Sequence, residues 1–244
     1  MPVDISIIVP VFNEAENILP LAQEVALALR SEGRTYELVF VDDASTDFTW
    51  ERINAAKRAL PSVRGLRHGS NRGQSAALWA GIQATSGAVI ATMDGDLQND
   101  PADLPRLLTE LERADFILGH RVKRRDNWLR QVSSRVARLA RKIVLGVALQ
   151  DTGCSLRVFK RSALVGVFPF NGLHRFLPVL VHGGGAKVLE IPVNHRPRAA
   201  GVSKYGIRNR LGRGIVDLLA VAWYQKRRLR PVQIIETNGS PGTQ

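Results

Sequence analysis

The chain of 244 residues is short of cysteine, of aromatic residues and of long apolar runs, and these shortages exclude several classes of protein. Its one cysteine, Cys154, cannot form an intramolecular disulfide, which excludes a disulfide-stapled scaffold. The N-terminus has no basic segment followed by a long apolar stretch, so we expect a cytoplasmic protein. The longest apolar stretch near the C-terminus, Leu218 to Tyr224, is far below the roughly 20 residues that span a bilayer. The chain is therefore not expected to cross a membrane by itself.

Acidic residues are also the minority, with 34 Lys and Arg against 22 Asp and Glu, but the imbalance is confined to one half of the chain. Residues 1–120 carry 10 basic and 17 acidic side chains, whereas residues 121–244 carry 24 basic and 5 acidic ones. An acidic half can hold a divalent cation through carboxylate oxygens. A basic half suits phosphate groups or an anionic membrane surface. The plain alternative is that both halves only present solvated charge.

Short β-branched apolar runs alternate with stretches of helical periodicity along the first 120 residues. The runs predict strands over Ile5–Val9, Tyr36–Val41, Val63–Arg67, Ala88–Met93 and Phe116–Gly119. The periodic stretches predict helices over Glu14–Ser31, Asp47–Leu60, Asn71–Thr85 and Pro101–Leu111. This alternation with short connections indicates an α/β fold with a mainly parallel, doubly wound sheet. The ligand crevice of such a sheet lies beyond the carboxyl ends of its strands.

Polar loops begin where three of the predicted strands end: Pro10–Glu14, Asp42–Asp47 and Asp94–Gln98. Because the carboxyl ends of parallel strands share one edge of a sheet, we expect the three loops to converge there. In the third loop only Gly95 separates Asp94 from Asp96, so both carboxylates can approach a hard cation such as Mg²⁺ or Mn²⁺. An Asp-x-Asp pair alone is more often a surface turn. A position directly after a buried strand makes the metal site an equal alternative and leaves both open.

Two later segments are amphipathic and basic. In the first, apolar residues between Trp128 and Ile143 fall on one side of a helical wheel and arginines on the other. The second covers residues 207–229, with Ile215 and Leu218 on one predicted stripe. Helices of this kind bind acidic headgroups at about 1 kcal/mol per cation near the surface. The sequence leaves open the alternative that the apolar stripes pack on the sheet.

The order and spacing of the motifs resemble glycosyltransferase family 2, the inverting nucleotide-sugar transferases. Within that family the chain is most similar to the polyprenyl-phosphate (dolichyl-phosphate mannosyltransferase-like) sugar transferases. The resemblance covers roughly residues 4 to 220. It is carried by the blocks Val9–Glu14, Val41–Asp47, Asn71–Gly73, Met93–Pro101, Asp151–Arg157, Pro192–Arg198 and Gly201–Tyr205.

The resemblance implies a GT-A fold, which is a Rossmann-like, mainly parallel sheet flanked by helices, in a single domain over residues 1–230. Residues 1–120 form the implied donor and metal half, residues 121–230 the acceptor and membrane-interface half, and residues 231–244 a flexible tail. By analogy the nucleotide pocket is lined by Pro10, Asn13, Glu14, Asp42, Asp43 and Asp94. The implied metal ligands are Asp94, Asp96 and Gln98, and the implied catalytic residues are Asp94, Asp96 and Arg121. The acceptor phosphate is held, by the same analogy, by Arg121, Arg130, Ser134, Arg198 and Lys204.

The implied reaction is the metal-dependent transfer of a sugar from a UDP- or GDP-linked donor to a polyprenyl phosphate, for envelope glycan or protein glycosylation. The expected partners are the nucleotide sugar, the lipid phosphate and an anionic membrane surface, and no nucleic acid is expected. A membrane-protein partner and a second copy of the chain both stay open. Since no long apolar span follows residue 230, we expect peripheral attachment to the cytoplasmic face of the membrane.

The chemistry of such a transfer agrees with the division of charge along the chain. Departure of a nucleoside diphosphate builds up negative charge, which a divalent ion and fixed cations stabilise. The acceptor phosphate has a second pKa of about 6, so it attacks as an anion and needs no dedicated base. It does need charge neutralisation and orientation, for which the planar guanidinium of arginine is suited.

Two alternatives are weaker. A family 2 enzyme that acts on a soluble or protein hydroxyl would need a carboxylate base near Asp151. A nucleic-acid binder is suggested by the pI of about 10.8, but the aromatic content of 6% and the acidic first half argue against it. The five histidines lack metal-ligand spacing, and no histidine-based activation accompanies Cys154, so we expect that cysteine to serve packing.

Overall fold

A computed structural model describes residues 3–121, 142–197 and 208–228, and its strands form one seven-stranded sheet. The strands are β1 (Ile5–Val11), β2 (Tyr36–Asp42), β3 (Val63–Arg67), β4 (Val89–Thr92), β5 (Phe116–Arg121), β6 (Arg157–Lys160) and β7 (Val188–Val193). The longer helices in these ranges are α1 (Ile18–Ala28), α2 (Thr49–Ala59), α3 (Gln74–Gln83), α4 (Leu104–Thr109), α5 (Leu173–Gly183) and α6 (Arg208–Arg227). Short 3₁₀ turns cover Pro101–Asp103, Glu110–Glu112 and Arg161–Leu164.

The sheet has the strand order β3-β2-β1-β4-β6-β5-β7. β1 pairs in parallel with β2 and β4, β2 pairs in parallel with β3, and β5 pairs in parallel with β7. These pairings confirm the predicted mainly parallel α/β sheet. β6 is antiparallel to both of its neighbours, β4 and β5. As a result, β6 begins at the edge of the sheet where β4 and β5 end.

Strands β6 and β7 are absent from the sequence prediction. β6 has only four residues, and its first, Arg157, is a charged side chain that is 3% exposed. β7 includes Glu190 and Pro192 and is half-exposed along most of its length. Neither segment has the continuous apolar run that predicts a buried strand, so the tertiary pairing defines both.

The centre of the sheet is buried on both faces. Ile5, Ile7, Ile8 and Val9 of β1 are at most 1% exposed, as expected for a parallel strand whose two faces are covered by helices. Further along the strand order, the rings of Phe116 and Phe159 stack with centroids 4.8 Å apart. This contact joins β5 to β6.

Helix α1 begins four residues later than the predicted start at Glu14. The backbone N–H of Glu14 instead donates a hydrogen bond to Thr49 Oγ1 at 2.8 Å, and that of Ala15 donates to Asp47 Oδ2 at 3.4 Å. Because of these bonds, residues 14–17 belong to a loop at the carboxyl edge of the sheet and not to the first turn of the helix.

Helix α6 packs on α5 through one face and exposes a second face that is also apolar. On the packed face Val221 is buried, and Gln225 Nε2 donates a hydrogen bond to the carbonyl of Val179 at 3.2 Å. The exposed apolar face consists of Ile215, Val216, Leu219 and Trp223, which are between 57 and 66% exposed. The predicted single stripe is therefore wrong, because Leu218 packs against the core whereas Ile215 is exposed. Among the described helices, none has the length and apolarity needed to cross a bilayer.

A glycine in β5 tests how closely the strands near its carboxyl end are packed. A Cβ at Gly119 would lie 2.9 Å from the carbonyl oxygen of Leu156 and 3.0 Å from Cys154 Sγ. We therefore expect Gly119→Ala to lower the free energy of unfolding by about 1–3 kcal/mol, measured by urea denaturation. The matched control is Gly69→Ala, whose new methyl group meets nothing within 4 Å. Equal stabilities of the two variants would contradict this description of the packing.

Candidate active site

The loops after β1 and β2 are joined by hydrogen bonds at the carboxyl edge of the sheet. The backbone N–H of Asn13 donates to Ser45 Oγ at 2.9 Å, and the N–H of Thr46 donates to Asn13 Oδ1 at 2.8 Å. The N–H of Asp43 donates to the carbonyl of Val11 at 2.9 Å. Together with the loop after β4, which follows the neighbouring strand, these loops form the predicted convergence.

Each of the three loops contains a non-glycine residue in the left-handed region of backbone space. These residues are Asn13 with φ 53°, Ala44 with φ 60° and Leu97 with φ 61°. Such values are uncommon for side chains other than asparagine and aspartate, and residues in this region cluster at binding and catalytic sites. The backbone itself therefore marks this edge as a candidate site.

Asp42, at the end of β2, is completely buried. Its Oδ1 accepts a hydrogen bond from the backbone N–H of Ser45 at 2.9 Å. Its Oδ2 lies 3.2 Å from Arg67 Nε, an ion pair whose atoms are not aligned for a hydrogen bond. The carboxylate of Asp42 therefore holds the turn that follows β2, and its predicted contact with the nucleotide stays a prediction.

Asp43 is also buried, and its carboxylate organises the turn before α3. It accepts hydrogen bonds from His68 Nδ1 at 2.7 Å and from the backbone N–H groups of Arg72 and Gly73 at 2.8 and 2.6 Å. Because α3 begins at the next residue, Asp43 fixes where that helix starts. Its role as a nucleotide ligand stays a prediction, as do those of Pro10 and Glu14, which are half-buried beside it.

The Asp94–Gln98 loop follows β4 and is pressed against the end of β1. A Cβ on Gly95 would lie 2.6 Å from Val11 Cγ1, so only glycine fits between the two aspartates. Asp96 Oδ1 accepts a hydrogen bond from the N–H of Gln98 at 3.2 Å. Gln74, the first residue of α3, donates from Nε2 to Asp94 Oδ1 at 2.9 Å. The last contact was not predicted, although Gln74 directly follows the Asn71–Gly73 motif.

Burial raises the pKa of the Asp94 carboxyl, and the negative charge of Asp96 raises it further. A hydrogen bond from Ser155 and the positive charges of Arg157 and Arg121 act in the opposite direction. The two carboxylates thus concentrate negative charge in a partly dehydrated loop, with cations close by.

This loop fits a divalent cation of the kind that binds oxygen ligands. Asp94, Asp96 and Gln98 supply two carboxylates and one amide oxygen, the ligand types that Mg²⁺ and Mn²⁺ prefer. Within the described residues, no group of three or more His, Cys, Asp or Glu side chains could hold a metal ion. Two carboxylates are sufficient where a bound diphosphate and water supply further oxygens, as is common for Mg²⁺. The assignment of these three residues to a metal ion stays a prediction.

Arg121, the last residue of β5, forms a two-pronged ion pair with Asp151. Arg121 Nε donates to Asp151 Oδ2 at 2.7 Å, and Nη2 donates to Oδ1 at 2.8 Å. Both side chains are largely buried, with 16 and 5% exposed. Burial lowers the pKa of Arg121, but the hydrogen bonds and charge of Asp151 outweigh that effect and raise it overall. Asp151 does not use Nη1 of the guanidinium, so Arg121 can bind another anion in a fixed orientation.

Arg157 stabilises the loop of residues 151–156, the motif loop, which begins with Asp151. Its guanidinium donates to the carbonyls of Cys154 at 2.8 Å and Thr152 at 3.1 Å. Burial lowers the pKa of Arg157 to about 10, so it keeps its proton at neutral pH. The Asp151–Arg157 motif contains Arg157 but predicts no role for it, because burial of a charged side chain has no local signature in the sequence.

The Asp94–Gln98 loop and the residue pair after it are also bound to the segment that follows β7. The N–H of Arg196 donates to the carbonyl of Gln98 at 2.9 Å, and its guanidinium bridges Asp100 Oδ1 and Glu24 Oε2, at 2.6 Å each. Asn194 Nδ2 donates to Asp100 Oδ2 at 2.9 Å. Of the predicted phosphate-binding residues, Arg121 lies at this edge. The others lie outside the described residues: Arg130, Ser134, Arg198 and Lys204.

Comparison with solved structures identifies the class of fold. Glucosyl-3-phosphoglycerate synthase of Mycobacterium tuberculosis, in complex with Mn²⁺, UDP-glucose and phosphoglyceric acid, superposes with a TM-score of 0.67 at 20% sequence identity, over 96% of this chain and 84% of the other. The same enzyme with Mg²⁺ and UDP gives a TM-score of 0.65 at 20% identity, over 94% of this chain and 81% of the other. The chain therefore has the GT-A fold, as predicted.

Residues 6–168 match the family described as glycosyl transferase family 2, and the chain belongs to that family. It is 42% identical over 236 residues to the dodecaprenyl-phosphate galacturonate synthase of Rhizobium johnstonii, covering 93% of this chain and 69% of the relative. It is 37% identical over 207 residues to the undecaprenyl-phosphate 4-deoxy-4-formamido-L-arabinose transferase of Pseudomonas paraeruginosa, covering 84% of this chain. The chain spans only 61% of the length of that second relative.

The single cysteine reports on the packing of the motif loop. Cys154 is buried, as predicted, and burial raises the pKa of its thiol to about 11. At pH 8 we expect it to react with a disulfide reagent on the order of 10²-fold more slowly in the folded protein than in urea. Equal rates in the folded and unfolded protein would contradict the burial.

The same measurement tests the brace formed by Arg157. We expect Arg157→Lys, which loses the bonds to Thr152 and Cys154, to react faster than the wild type in the folded state. Arg161→Lys is the matched control, because Arg161 also donates to backbone carbonyls, of Gly87 and Ile82, which lie outside the motif loop. A faster reaction in the control alone would show that the loop does not depend on Arg157.

Proposed function

We propose that the chain transfers a sugar from a nucleotide-sugar donor to a polyprenyl phosphate, with inversion at the anomeric carbon. The observation that carries this proposal is that an acidic loop and an oriented arginine lie close together. Asp94 follows β4, Arg121 ends β5, and only β6 separates these two strands in the sheet. A transfer between two phosphate-bearing substrates needs both features at one place.

The named activities of the family relatives support this class of acceptor. The two relatives described above are named for a dodecaprenyl phosphate and an undecaprenyl phosphate. The structural neighbours with the same fold contain UDP or UDP-glucose with Mn²⁺ or Mg²⁺. These findings support a nucleotide-sugar donor and a divalent cation for this chain as well.

On the donor side, we propose that Pro10, Asn13, Glu14, Asp42 and Asp43 shape the nucleotide pocket. Asp94, Asp96 and Gln98 would hold the divalent ion. When bound, this ion would stabilise the negative charge that develops on the departing diphosphate. Gln74 keeps Asp94 in place through its hydrogen bond, and the Arg196 bridge to Asp100 and Glu24 keeps the loop against the rest of the domain.

On the acceptor side, Arg121 binds and orients the lipid phosphate. The phosphate is already anionic at neutral pH, so its oxygen attacks the anomeric carbon without a proton transfer to a base. Attack from the face opposite the leaving diphosphate inverts the configuration in one displacement. We propose that Arg130, Ser134, Arg198 and Lys204 complete the phosphate site.

A hydroxyl acceptor is the alternative, and the environment of Asp151 argues against it. A hydroxyl needs a general base within hydrogen-bond reach to remove its proton. Both oxygens of Asp151, the carboxylate at this place, accept hydrogen bonds from Arg121. The carboxylate is thus used to hold the arginine, which suits an anionic acceptor.

The exposed face of α6 is the surface that we propose for contact with the membrane. Ile215, Val216, Leu219 and Trp223 form an apolar patch, and Lys226 and Arg227 follow at the end of the helix. Apolar residues beside basic ones suit the interface of an anionic bilayer, where the lipid acceptor resides. We propose peripheral attachment on the cytoplasmic side, by one domain over residues 1–230.

The acceptor class is tested by following nucleotide release. We expect UDP or GDP to be released from one member of a panel of nucleotide sugars only when undecaprenyl or dolichyl phosphate is present. A chelator should abolish the release, and Mn²⁺ or Mg²⁺ should restore it. Release with a soluble hydroxyl acceptor, and none with either lipid phosphate, would overturn the proposal in favour of the alternative.

Asp96→Asn tests the assignment of the metal site. Loss of one carboxylate ligand is expected to lower kcat by at least about 10²-fold with little change in the free energy of unfolding. Asp4→Asn is the matched control, since Asp4 binds Thr35 at the opposite edge of the sheet and should retain activity. Near-normal turnover of Asp96→Asn would refute the assignment.

The membrane surface is tested by sedimentation with vesicles that contain phosphatidylglycerol. Replacement of both Leu219 and Trp223 by serine is expected to weaken binding at least about 10-fold, because two large apolar side chains no longer enter the interface. Leu27→Ser is the matched control, since Leu27 is 72% exposed on α1 and outside the patch. An equal loss of vesicle binding by Leu27→Ser would indicate that the protein adsorbs through exposed apolar residues in general and not through the α6 patch.

A further inference from the structure

Glu190 on β7 contacts the loop that contains Asp151. It belongs neither to the acidic loop after β4 nor to the Arg121–Asp151 ion pair. Glu190 Oε1 accepts hydrogen bonds from the backbone N–H groups of Gln150 at 2.8 Å and Asp151 at 3.0 Å. Its Oε2 lies 2.9 Å from the N–H of Gln150. Both oxygens of one carboxylate are thus used to hold two consecutive peptide groups.

These bonds fix the backbone from which the Asp151 side chain extends. Asp151 in turn binds Nε and Nη2 of Arg121, and its Oδ2 also accepts the backbone N–H of Arg121 at 3.3 Å. The structure therefore contains a continuous series of contacts from Glu190 through the Gln150–Asp151 peptide to the Arg121 guanidinium.

The surroundings leave this series little freedom to rearrange. β7 lies beside β5, with Glu190 in register with Leu118, three residues before Arg121. A Cβ on Gly153 would lie 3.4 Å from Arg121 Nη2 and 3.6 Å from Asp151 Oδ1, so the loop lies beside the ion pair at van der Waals distance. Hydrogen bonds to an ionised carboxylate are among the stronger ones in proteins. Displacement of the Gln150–Asp151 peptide therefore changes where Nη1 of Arg121 lies.

We infer that Glu190 is a positioning residue for the acceptor phosphate, acting through Asp151 on Arg121. The inference rests on the proposed function, because it assumes that Arg121 contacts the phosphate. Glu190 adds no positive charge to the site, so its contribution is orientation. Hydrogen-bond partners that orient metal-ligating side chains typically change affinity or activity by about 10–100-fold. We expect an effect at the lower end of that range for a partner that orients a phosphate-binding arginine.

The test compares the affinity for the two substrates in full-length protein. The probes are undecaprenyl phosphate in detergent micelles and, with Mn²⁺, whichever of UDP and GDP the wild type binds. We expect Glu190→Ala to raise the Kd for undecaprenyl phosphate about 10-fold and to leave the nucleotide Kd unchanged. Glu190→Gln retains one carbonyl oxygen as an acceptor and should recover part of the affinity. It also serves as the informative variant if the alanine variant fails to fold.

Asp115→Ala is the matched control for loss of a structural carboxylate. Asp115 accepts a hydrogen bond from the backbone N–H of Lys187 at 3.0 Å, across the same β5–β7 pair but at its other end. We expect this variant to lose stability without a change in either Kd. An equal rise in both Kd values for the Glu190 variants, or an equal effect in Asp115→Ala, would make Glu190 merely structural and overturn the inference.

A double-mutant cycle separates this inference from the proposed function. Arg121→Ala should itself weaken undecaprenyl phosphate binding, and addition of Glu190→Ala to that variant should weaken it no further. Normal lipid binding by Arg121→Ala would overturn the assigned role of Arg121 in the proposed function. Weak binding by Arg121→Ala with normal binding by Glu190→Ala, or additive losses in the double variant, would overturn the inference about Glu190 alone.

Discussion

The antiparallel direction of β6 is the constraint on which the candidate site depends. Because β6 runs opposite to β4 and β5, its first residue, Arg157, pairs with Thr92 and Leu118 at the carboxyl edge of the sheet. In the strand order β4-β6-β5, the acidic loop after β4 and the guanidinium at the end of β5 are one strand apart, and the motif that precedes β6 lies between them. A parallel β6 would deliver the Asp151–Arg157 motif to the opposite edge, away from both charged groups.

The acidic residues after β2 and the guanidinium at the end of β5 each have a hydrogen-bond partner of their own at this edge. Asp43 is held by the turn before α3, and Arg121 is held by Asp151. Buried pairs of this kind add little to stability, yet removal of one partner costs about 3–5 kcal/mol. Their value here lies in orientation, since Asp151 neutralises part of the charge of Arg121 and in return fixes its direction.

The elements that the sequence predicts correctly are those with a continuous local pattern. The buried runs of β1, β2 and β4 and the polar residues directly after them were sufficient to place three loops at one edge of a parallel sheet. β6 and β7 escaped prediction because Arg157, Glu190 and Pro192 interrupt any apolar run. The start of α1 and the exposed face of α6 were misplaced for a related reason. Glu14 and Leu218 follow helical periodicity. The hydrogen bond from Glu14 to Thr49 and the packing of Leu218 against the core decide where each residue lies.

The polar residues of the site also fall into two groups, those whose position follows from a local segment and those whose contacts depend on the fold. By itself the sequence determined the fold class and the positions of Asp94 and Asp96 after a buried strand, because those depend on short segments and on the common direction of parallel strands. Arg121 was named only through the resemblance to the family. Only the tertiary structure decided that Gln74 binds Asp94 and that Asp151 binds Arg121, pairs that are 20 and 30 residues apart. Such pairs depend on the register and direction of neighbouring strands, and no single segment of the chain contains that information.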